Sequence, residues 1–419
     1  MELDLAFARS HFPAFARPEL AGWSFFENAG GSYACAHTID ALHHYYVATK
    51  VQPYGPYPAS AAAGDAMDAS HRRWAEALGV AEGEVMFGPS TTANTYVLAN
   101  ALAPMLGPGP RVVVTNQDHE ANTGSIRRVA EAAGSEVVEW SIDPATGLLD
   151  LERLAPLLTD EVTVMTMPHC SNIVGMENDV AAVAAMVHEV GARLIVDGVS
   201  FAPHGLPDVA ALDADVYLFS LYKVYSVHQG LMVVRNGLLD EVTNQGHFFN
   251  QSIPTKRLTP AGPDHAQEAA AGAVLDYVLD SHRHHGGSGA DDLATAARAT
   301  SALWQQHEQR LLAPLLDTLG ALDGVRVLGP PSAEGSDPSG RLHRCPTVAF
   351  VPRHREPTEV AEALVEHRVM AGAGDFYAAR VLAGLDVPAE RGVVRLSFVH
   401  YTDEDDIARA QQALVEILG

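Results

Sequence analysis

Short apolar runs alternate with longer segments of helical period between about residue 84 and residue 236. The strand-like runs are EVMFG, RVVVTNQ, SEVVEW, VTVMTMPH, ARLIVDG, DVYLFSL and GLMVVRN. Between them lie four segments that repeat apolar residues near every third or fourth position: TTANTYVLANALAPML, SIRRVAEAAG, LDLERLAPLL and DVAAVAAMVHEVG. The alternation predicts an α/β domain whose mostly parallel seven-stranded sheet is flanked by helices.

A second domain is expected after this region, because 419 residues exceed the size at which one core usually keeps growing. The stretch HHGGSGADD predicts a loop before a long helix, and TVAFVP, PTEVAEALVEH, GVVRLSFVHY and DEDDIARAQQALVEIL predict a smaller α+β unit. The predicted organisation is an N-terminal segment (1–30), a large domain (31–288), a connecting helix (289–322) and a small C-terminal domain (323–419).

The formal charge of −25 argues against nucleic acid and anionic membranes as partners, since both attract basic surfaces. The chain shows neither a signal-like start nor an apolar run of membrane-spanning length. Its cysteines, Cys35, Cys170 and Cys345, are widely spaced and form no CxxC pattern. These features predict a cytoplasmic protein with reduced thiols and no structural metal, acting on small molecules.

Polar side chains follow several of the predicted strands. They are Ser90, Thr91 and Thr92 after EVMFG, His119 after RVVVTNQ, Asn172 after VTVMTM, Asp197 after ARLIV, and Ser220, Tyr222 and Lys223 at the end of DVYLF. Ligands of open parallel sheets bind beyond the carboxyl ends of the strands, so these groups predict a site at one edge of the sheet.

Two of these positions suit a charged, flat ligand. The start of a helix at Ser90 to Thr92 offers unpaired N–H groups and hydroxyls to a phosphate, although an ordinary N-cap explains the same residues. No GxGxxG or GxxxxGKS stretch competes for this role. Asp197 follows an apolar run, and a buried carboxylate needs a cationic partner such as a protonated pyridine nitrogen; a loop or cap aspartate is the alternative.

Lys223 is one of only three lysines in the chain. An amine in partly apolar surroundings loses its proton more easily and can form a Schiff base, whereas an isolated strand-end lysine is more often a surface residue. Arg395 lies within the apolar run GVVRLSFVHY and suits a carboxylate, or else a structural salt bridge. His119 could stack on a flat ring or move protons.

Together these residues are the parts needed for pyridoxal phosphate to act on an amino acid. The chain resembles the class V aminotransferases of pyridoxal-phosphate fold type I, particularly the branch that is cysteine-desulfurase-like and includes isopenicillin N epimerase. The stretches that carry the resemblance are FGPSTTAN, QDHEAN, HCSNIVG, IVDGVSFAPHGLPDVAALDADVYLFSLYK and VVRLSFVHY, and it runs from about residue 25 to residue 402.

The resemblance implies a role for each matching position. Lys223 resembles the Schiff-base lysine, Asp197 the partner of the pyridine nitrogen, and His119 the residue stacked on the ring. The other cofactor contacts it implies are Thr91, Thr92, Asn172, Ser200, Ser220 and Tyr222, and the substrate contacts are Arg395, Asn172, Tyr377 and Asn28. It also implies a homodimer with active sites at the subunit interface.

The departures from the desulfurase pattern bear on the reaction. Tyr222 stands where a histidine usually precedes the lysine, and Ser200 where glutamine is common. Tyr377 occupies the position of the mobile cysteine that attacks the substrate sulfur, and Cys345 is predicted to be a core residue. The expected reaction is therefore C–S cleavage by β-elimination without a persulfide cysteine. Transamination, epimerisation, aldol-type chemistry, decarboxylating or deaminating reactions, and a non-catalytic cofactor-binding protein are the alternatives.

Overall fold

The structure is a computed structural model that describes residues 2–333 and 342–419. Its strands are β1 (Ser24–Phe25), β2 (Val85–Gly88), β3 (Arg111–Thr115), β4 (Glu136–Trp140), β5 (Val162–Pro168), β6 (Arg193–Asp197), β7 (Val216–Ser220), β8 (Gly230–Val234), β9 (Val325–Val327), β10 (Thr347–Pro352), β11 (Val369–Met370), β12 (Gly372–Gly374) and β13 (Val393–Ser397).

Its α-helices are α1 (Leu5–Ser10), α2 (Ala36–His44), α3 (Pro58–Leu78), α4 (Thr91–Ala101), α5 (Glu120–Ala133), α6 (Leu151–Leu154), α7 (Val180–Glu189), α8 (Val209–Leu212), α9 (Asn236–Glu241), α10 (His265–Ala271), α11 (Val274–His284), α12 (Leu293–Ala321), α13 (Pro357–Glu366), α14 (Ala379–Gly384) and α15 (Glu404–Leu418).

The larger sheet has seven strands within the described residues, in the order β2-β8-β7-β6-β5-β3-β4. Strand β8 runs antiparallel to both of its neighbours, and the other pairs are parallel. Both faces of the central strands are buried, as β7 and β8 show along their whole length, which explains why their sequences are continuously apolar. The predicted α/β fold class is confirmed.

Three predicted helices differ from the observed ones. The helix expected to start at Ser125 begins at Glu120, because the His119 side chain caps it. The helices expected to reach residues 106 and 158 stop at Ala101 and Leu154, and each gives way to a 3-10 turn that contains a proline. Proline lacks the N–H that an α-helix interior requires.

Helix α12 connects two hydrophobic cores. Leu293 and Trp304, in its first half, are buried with the large sheet, whereas Leu312 and Leu319, in its second half, are buried against the smaller sheet. The smaller sheet has the antiparallel order β12-β13-β10-β9. Strand β1 pairs in parallel with β11, so the N-terminal segment is attached to this smaller unit. The predicted domain limits stay predictions, and the predicted range 323–419 includes residues 334–341, which lie outside the described residues.

Among the described residues, no helix is both long enough and apolar enough to cross a membrane.

Candidate active site

A cavity of about 590 Å³ lies beside the residues that follow β2, β3, β5 and β7. This volume suits a small organic ligand. The residues that line it are Glu27, Ala29, Gly30, Ser90, Thr92, Tyr96, His119, Glu120, Ala121, Arg128, Asn172, Tyr222, Lys223, His228, Phe376, Tyr377 and Arg395. Eight of the sequence-predicted site residues are therefore brought together here: Ser90, Thr92, His119, Asn172, Tyr222, Lys223, Tyr377 and Arg395.

Lys223 ends the single 3-10 turn that follows β7, and its side chain is buried at the cavity. Within the described residues its amine makes no hydrogen bond or ion pair. Burial lowers the pKa of Lys223 to about 8, and the positive charge of Arg395 acts in the same direction. Asp197 and Glu27 oppose the shift. The site thus holds an uncommitted amine that is partly neutral near physiological pH.

Asp197 is the last residue of β6 and is 5% exposed. One carboxylate oxygen accepts the Val199 N–H at 2.9 Å, and within the described residues the side chain forms no ion pair. Burial raises the pKa of Asp197, while the Val199 hydrogen bond and Lys223 counteract it. A cation that reached this carboxylate would relieve a real desolvation cost.

The N-terminus of α4 forms a concave wall of the site. Ser90 caps the helix through the Ala93 N–H at 3.1 Å, and the Thr91 hydroxyl lies 2.7 Å from that of Ser220. Gly230 packs directly behind this turn, since a Cβ there would lie 2.4 Å from the Thr91 nitrogen. The helix start therefore keeps its N–H groups close to the cavity, as an anion site requires.

His119 is the N-cap of α5, and its Nδ1 accepts the Ala121 N–H at 3.0 Å. Burial, together with the positive charges of Lys223 and Arg395, lowers the pKa of His119 to about 3. The ring is therefore neutral, and its proton is on Nε2, because Nδ1 is used as an acceptor. A neutral ring suits stacking better than proton transfer at ordinary pH.

The loop from β12 to α14 closes the cavity from the small unit. Phe376 and Tyr377 both adopt left-handed backbone conformations, with φ of 50° and 57°. The Asn172 amide donates to the Phe376 carbonyl at 3.0 Å, and the Glu120 N–H donates to the Tyr377 carbonyl at 2.8 Å. Two adjacent non-glycine residues in this region store strain, which is commonest at functional sites.

Arg395 lies in the middle of β13, opposite this loop, and is 3% exposed. Its guanidinium forms an ion pair with Glu27 at 2.9 Å, and the Phe376 ring covers one face at 3.8 Å. Its Nε is buried and has no hydrogen-bond partner among residues 2–333 and 342–419. The structural salt bridge considered for Arg395 is thus present, yet the side chain retains an unused donor.

Five predicted residues do not line the cavity: Asp197, Thr91, Ser220, Asn28 and Ser200. Asn28 and Ser200 border a separate void of about 10 Å³. The Asn28 amide donates to the Phe25 and Ser397 carbonyls and accepts the Tyr401 hydroxyl. Its side chain supports the loop that carries Glu27, and its predicted contact with a substrate stays a prediction.

The neighbour of the lysine, Tyr222, stacks on a residue that sequence reasoning did not single out. Its ring is parallel to that of His228, with centroids 4.5 Å apart and planes at 7°. A histidine is thus present beside Tyr222, although not at the position next to the lysine. Both rings border the cavity.

None of the cysteines borders this cavity. Cys35, Cys170 and Cys345 are all buried, and burial raises the pKa of the Cys35 thiol. A buried protonated thiol is a poor nucleophile.

The residues present fit pyridoxal phosphate on observations of this structure. The start of α4, which has room only because residue 230 is a glycine, matches the phosphate. The Lys223 amine, which has no partner among the described residues, matches the aldehyde, and the buried Asp197 carboxyl matches the pyridine nitrogen.

Comparison with known proteins agrees with this geometry. The sequence profile of the family described as Aminotransferase class-V matches residues 24–410. The chain belongs to the class V aminotransferase family. Aminotransferase-like protein FGM3 of Gibberella zeae is 32% identical over 418 residues, which are 98% of this chain and 97% of that protein. A cysteine desulfurase of Haloferax volcanii is 28% identical, over 93% of this chain and 88% of its own.

The fold is shared with a solved structure. The apo cysteine desulfurase of Thermococcus onnurineus superposes with a TM-score of 0.84 at 20% identity, over 100% of this chain and 98% of that one. Membership of the class V aminotransferases supports an enzyme that uses pyridoxal phosphate. The fold-type I architecture expected from the resemblance is confirmed.

Sequence reasoning did not single out Glu27, Phe376 or His228, whose side chains line the cavity and contact Arg395 or Tyr222. Glu27 stands in the motif FFENAGGS, and the need of a buried Arg395 for an anion was a signal that an acid had to be near. No comparable signal marked Phe376 or His228, because nothing in a single sequence pairs an aromatic ring with a distant residue.

Proposed function

We propose that the protein binds pyridoxal phosphate and cleaves the C–S bond of an S-substituted cysteine by β-elimination, without a persulfide cysteine. The observation that carries the proposal is the Lys223 amine: the side chain is buried at the cavity, it has no hydrogen-bond or ion-pair partner among the described residues, and its pKa is lowered to about 8. The absence of any thiol along the cavity supports elimination over persulfide transfer.

The residues that would hold the cofactor are Lys223, Asp197, His119, Thr92 and the start of α4, including the Thr91–Ser220 pair. When bound, pyridoxal phosphate supplies an electron sink for negative charge at the substrate Cα. Asp197 places a carboxyl group at the end of β6, where burial raises its pKa, and His119 presents a neutral face.

Side chains of the protein carry out the remaining steps, which are binding of the substrate carboxylate and proton transfer. Arg395 binds the substrate carboxylate through its unused Nε–H, and the Phe376 ring restricts the guanidinium to one plane. The Lys223 nitrogen, in its neutral form, accepts the α-proton. The C–S bond breaks with its electron pair leaving on sulfur, and one water is consumed, so that the products are a thiol, pyruvate and ammonia.

The test is to incubate the loaded protein with S-methyl-L-cysteine and measure products. Pyruvate and methanethiol in equal amounts support the proposal. Conversion of the cofactor to pyridoxamine phosphate without pyruvate would contradict it and favour transamination, the activity suggested by the name of the aminotransferase-like relative.

The protein is also proposed to form a homodimer, because two segments expose apolar rings on a shared surface. Tyr54 is 62% exposed, Phe248 81% and Phe249 65%, and a cavity of about 700 Å³ is lined by Tyr54 together with His247 and Asn250. Contiguous exposed apolar side chains mark association sites. Analytical ultracentrifugation should show a dimer that the double variant Phe248→Asp/Phe249→Asp converts to monomer; a wild-type monomer refutes the proposal.

A further inference from the structure

Glu27 is an acidic side chain built into the wall of the cavity. It follows β1, and one oxygen accepts a hydrogen bond from Arg395 Nη2 at 2.9 Å. Its other oxygen, Oε2, is buried and has no hydrogen-bond partner within the part of the chain that the structure describes. The carboxylate is therefore half satisfied, and a buried acceptor in this state calls for an explanation.

Two glycines make room for this carboxylate. A Cβ at Gly372 would lie 2.4 Å from Glu27 Oε2, and one at Gly30 would lie 2.8 Å from Glu27 Oε1. Backbone from two separate parts of the chain thus approaches the acid closely. Its position is fixed by the surrounding structure and does not depend on a flexible surface contact.

The guanidinium of Arg395 has capacity beyond Glu27. Nε is buried and unpartnered, and Nη1 is 3.4 Å from the Asn172 carbonyl, which is long for a hydrogen bond. A planar guanidinium accommodates one carboxylate on each pair of donors. A ligand carboxylate at Nε would therefore share Arg395 with the Glu27 carboxylate.

This sharing has a consequence for charge. The Arg395 guanidinium can neutralise one carboxylate, and Glu27 already supplies it. A ligand carboxylate at Nε therefore leaves one excess negative charge beside Glu27 Oε2. A ligand with two carboxylates would add a further negative charge near Glu27, and like charges at close range in a partly dry site are strongly disfavoured. A ligand with a donor or positive charge would instead satisfy Oε2.

We propose that Glu27 sets the charge class of the substrate, so that the site accepts amino acids with a single carboxylate and a neutral or hydrogen-bond-donating side chain and excludes acidic ones. The amino-acid part of this inference rests on the proposed function, whereas the discrimination between one and two carboxylates rests on Glu27 and Arg395 alone.

The experiment measures binding of two simple probes to the full-length protein loaded with pyridoxal phosphate. Isothermal titration calorimetry gives dissociation constants for propionate, which has one carboxylate, and succinate, which has two. Neither probe has an amino group, so the measurement requires no turnover. The variants are Glu27→Gln, Glu27→Asp, which keeps the charge, and Glu120→Gln, which removes an acid from the same cavity that is paired with Arg380 and not with Arg395.

Wild type should bind propionate more tightly than succinate, and Glu27→Gln should shift the ratio towards succinate by at least roughly tenfold. Glu27→Asp and Glu120→Gln should keep the wild-type preference. An unchanged ratio in Glu27→Gln, an equal shift in Glu120→Gln, or equal wild-type affinity for both probes would overturn the proposal. If S-methyl-L-cysteine gives no pyruvate while the calorimetric ratios follow this pattern, the reaction assignment fails and the role of Glu27 stands.

Discussion

Glu27 and Arg395, which form an ion pair, should shift the pKa of Lys223 in opposite directions. Burial is the main reason that the pKa of Lys223 is lowered, Arg395 lowers it further, and Glu27 raises it. Glu27→Gln should therefore lower the pKa of Lys223, and Arg395→Gln should raise it. A charge within contact range shifts a neighbouring group by about one pKa unit.

The magnitude follows from the populations of the neutral amine. At pH 8, an amine with an ordinary pKa of 10.5 is only roughly 0.3% neutral, whereas the Lys223 amine with a pKa of about 8 is about half neutral. A rise of about one unit in Arg395→Gln would cut the neutral fraction at pH 8 to about one tenth, and a similar fall in Glu27→Gln would raise it to about nine tenths.

The assay is labelling of the cofactor-free protein with an aldehyde, trapped by borohydride and read for each lysine by mass spectrometry across pH. Lys50 and Lys256 are exposed and serve as internal references in every sample. The pH at which labelling of Lys223 is half-maximal should rise in Arg395→Gln and fall in Glu27→Gln. The corresponding pH for Lys50 and Lys256 should not change. A shift of both variants in the same direction, or a wild-type Lys223 profile that matches the references, would refute the reasoning.

Three further predictions follow from local geometry. Gly230→Ala should weaken pyridoxal phosphate binding about 5- to 150-fold in an absorbance titration, because a Cβ 2.4 Å from the Thr91 nitrogen costs about 1–3 kcal/mol. Gly320→Ala, near the end of α12 with nothing within 4 Å of its Cβ, should keep that affinity and raise stability in urea by about 0.5 kcal/mol. The His119 ring signal in NMR, assigned by its loss in His119→Gln, should stay constant through the range near pH ~6.5, where exposed imidazoles titrate; a titrating signal would contradict its neutral, buried state.

The large sheet could be predicted because its pattern is local. Each strand is an apolar run bounded by polar or turn residues, and the order of strands and helices along the chain defines the α/β class. The direction of β8 was harder to foresee, because an antiparallel strand buried on both faces has the same composition as a parallel one. The observed helix ends differ from the predicted ones where a side chain caps the helix, as His119 does, or where a proline follows it, as Pro104 does.

The position of a candidate site residue could be predicted where the chemistry depends on one residue type at a strand end, as for Lys223 and Asp197, whose roles stay predictions. It was not predictable where the partner comes from far along the chain. Glu27 and Arg395 are 368 residues apart, and Phe376 reaches Arg395 through a strained loop. The Asn28 amide hydrogen-bonds to Phe25, Ser397 and Tyr401, and the substrate contact expected for it stays a prediction.

The measurement that tests the central claim most directly is the visible spectrum of Lys223→Ala after incubation with pyridoxal phosphate, beside Lys256→Ala as a matched control. Wild type and Lys256→Ala should bind the cofactor with the visible absorbance of a lysine-bound form and release pyruvate from S-methyl-L-cysteine. Lys223→Ala should show neither, while its thermal unfolding confirms that it is folded. A Lys223→Ala protein that is both yellow and active would contradict the account.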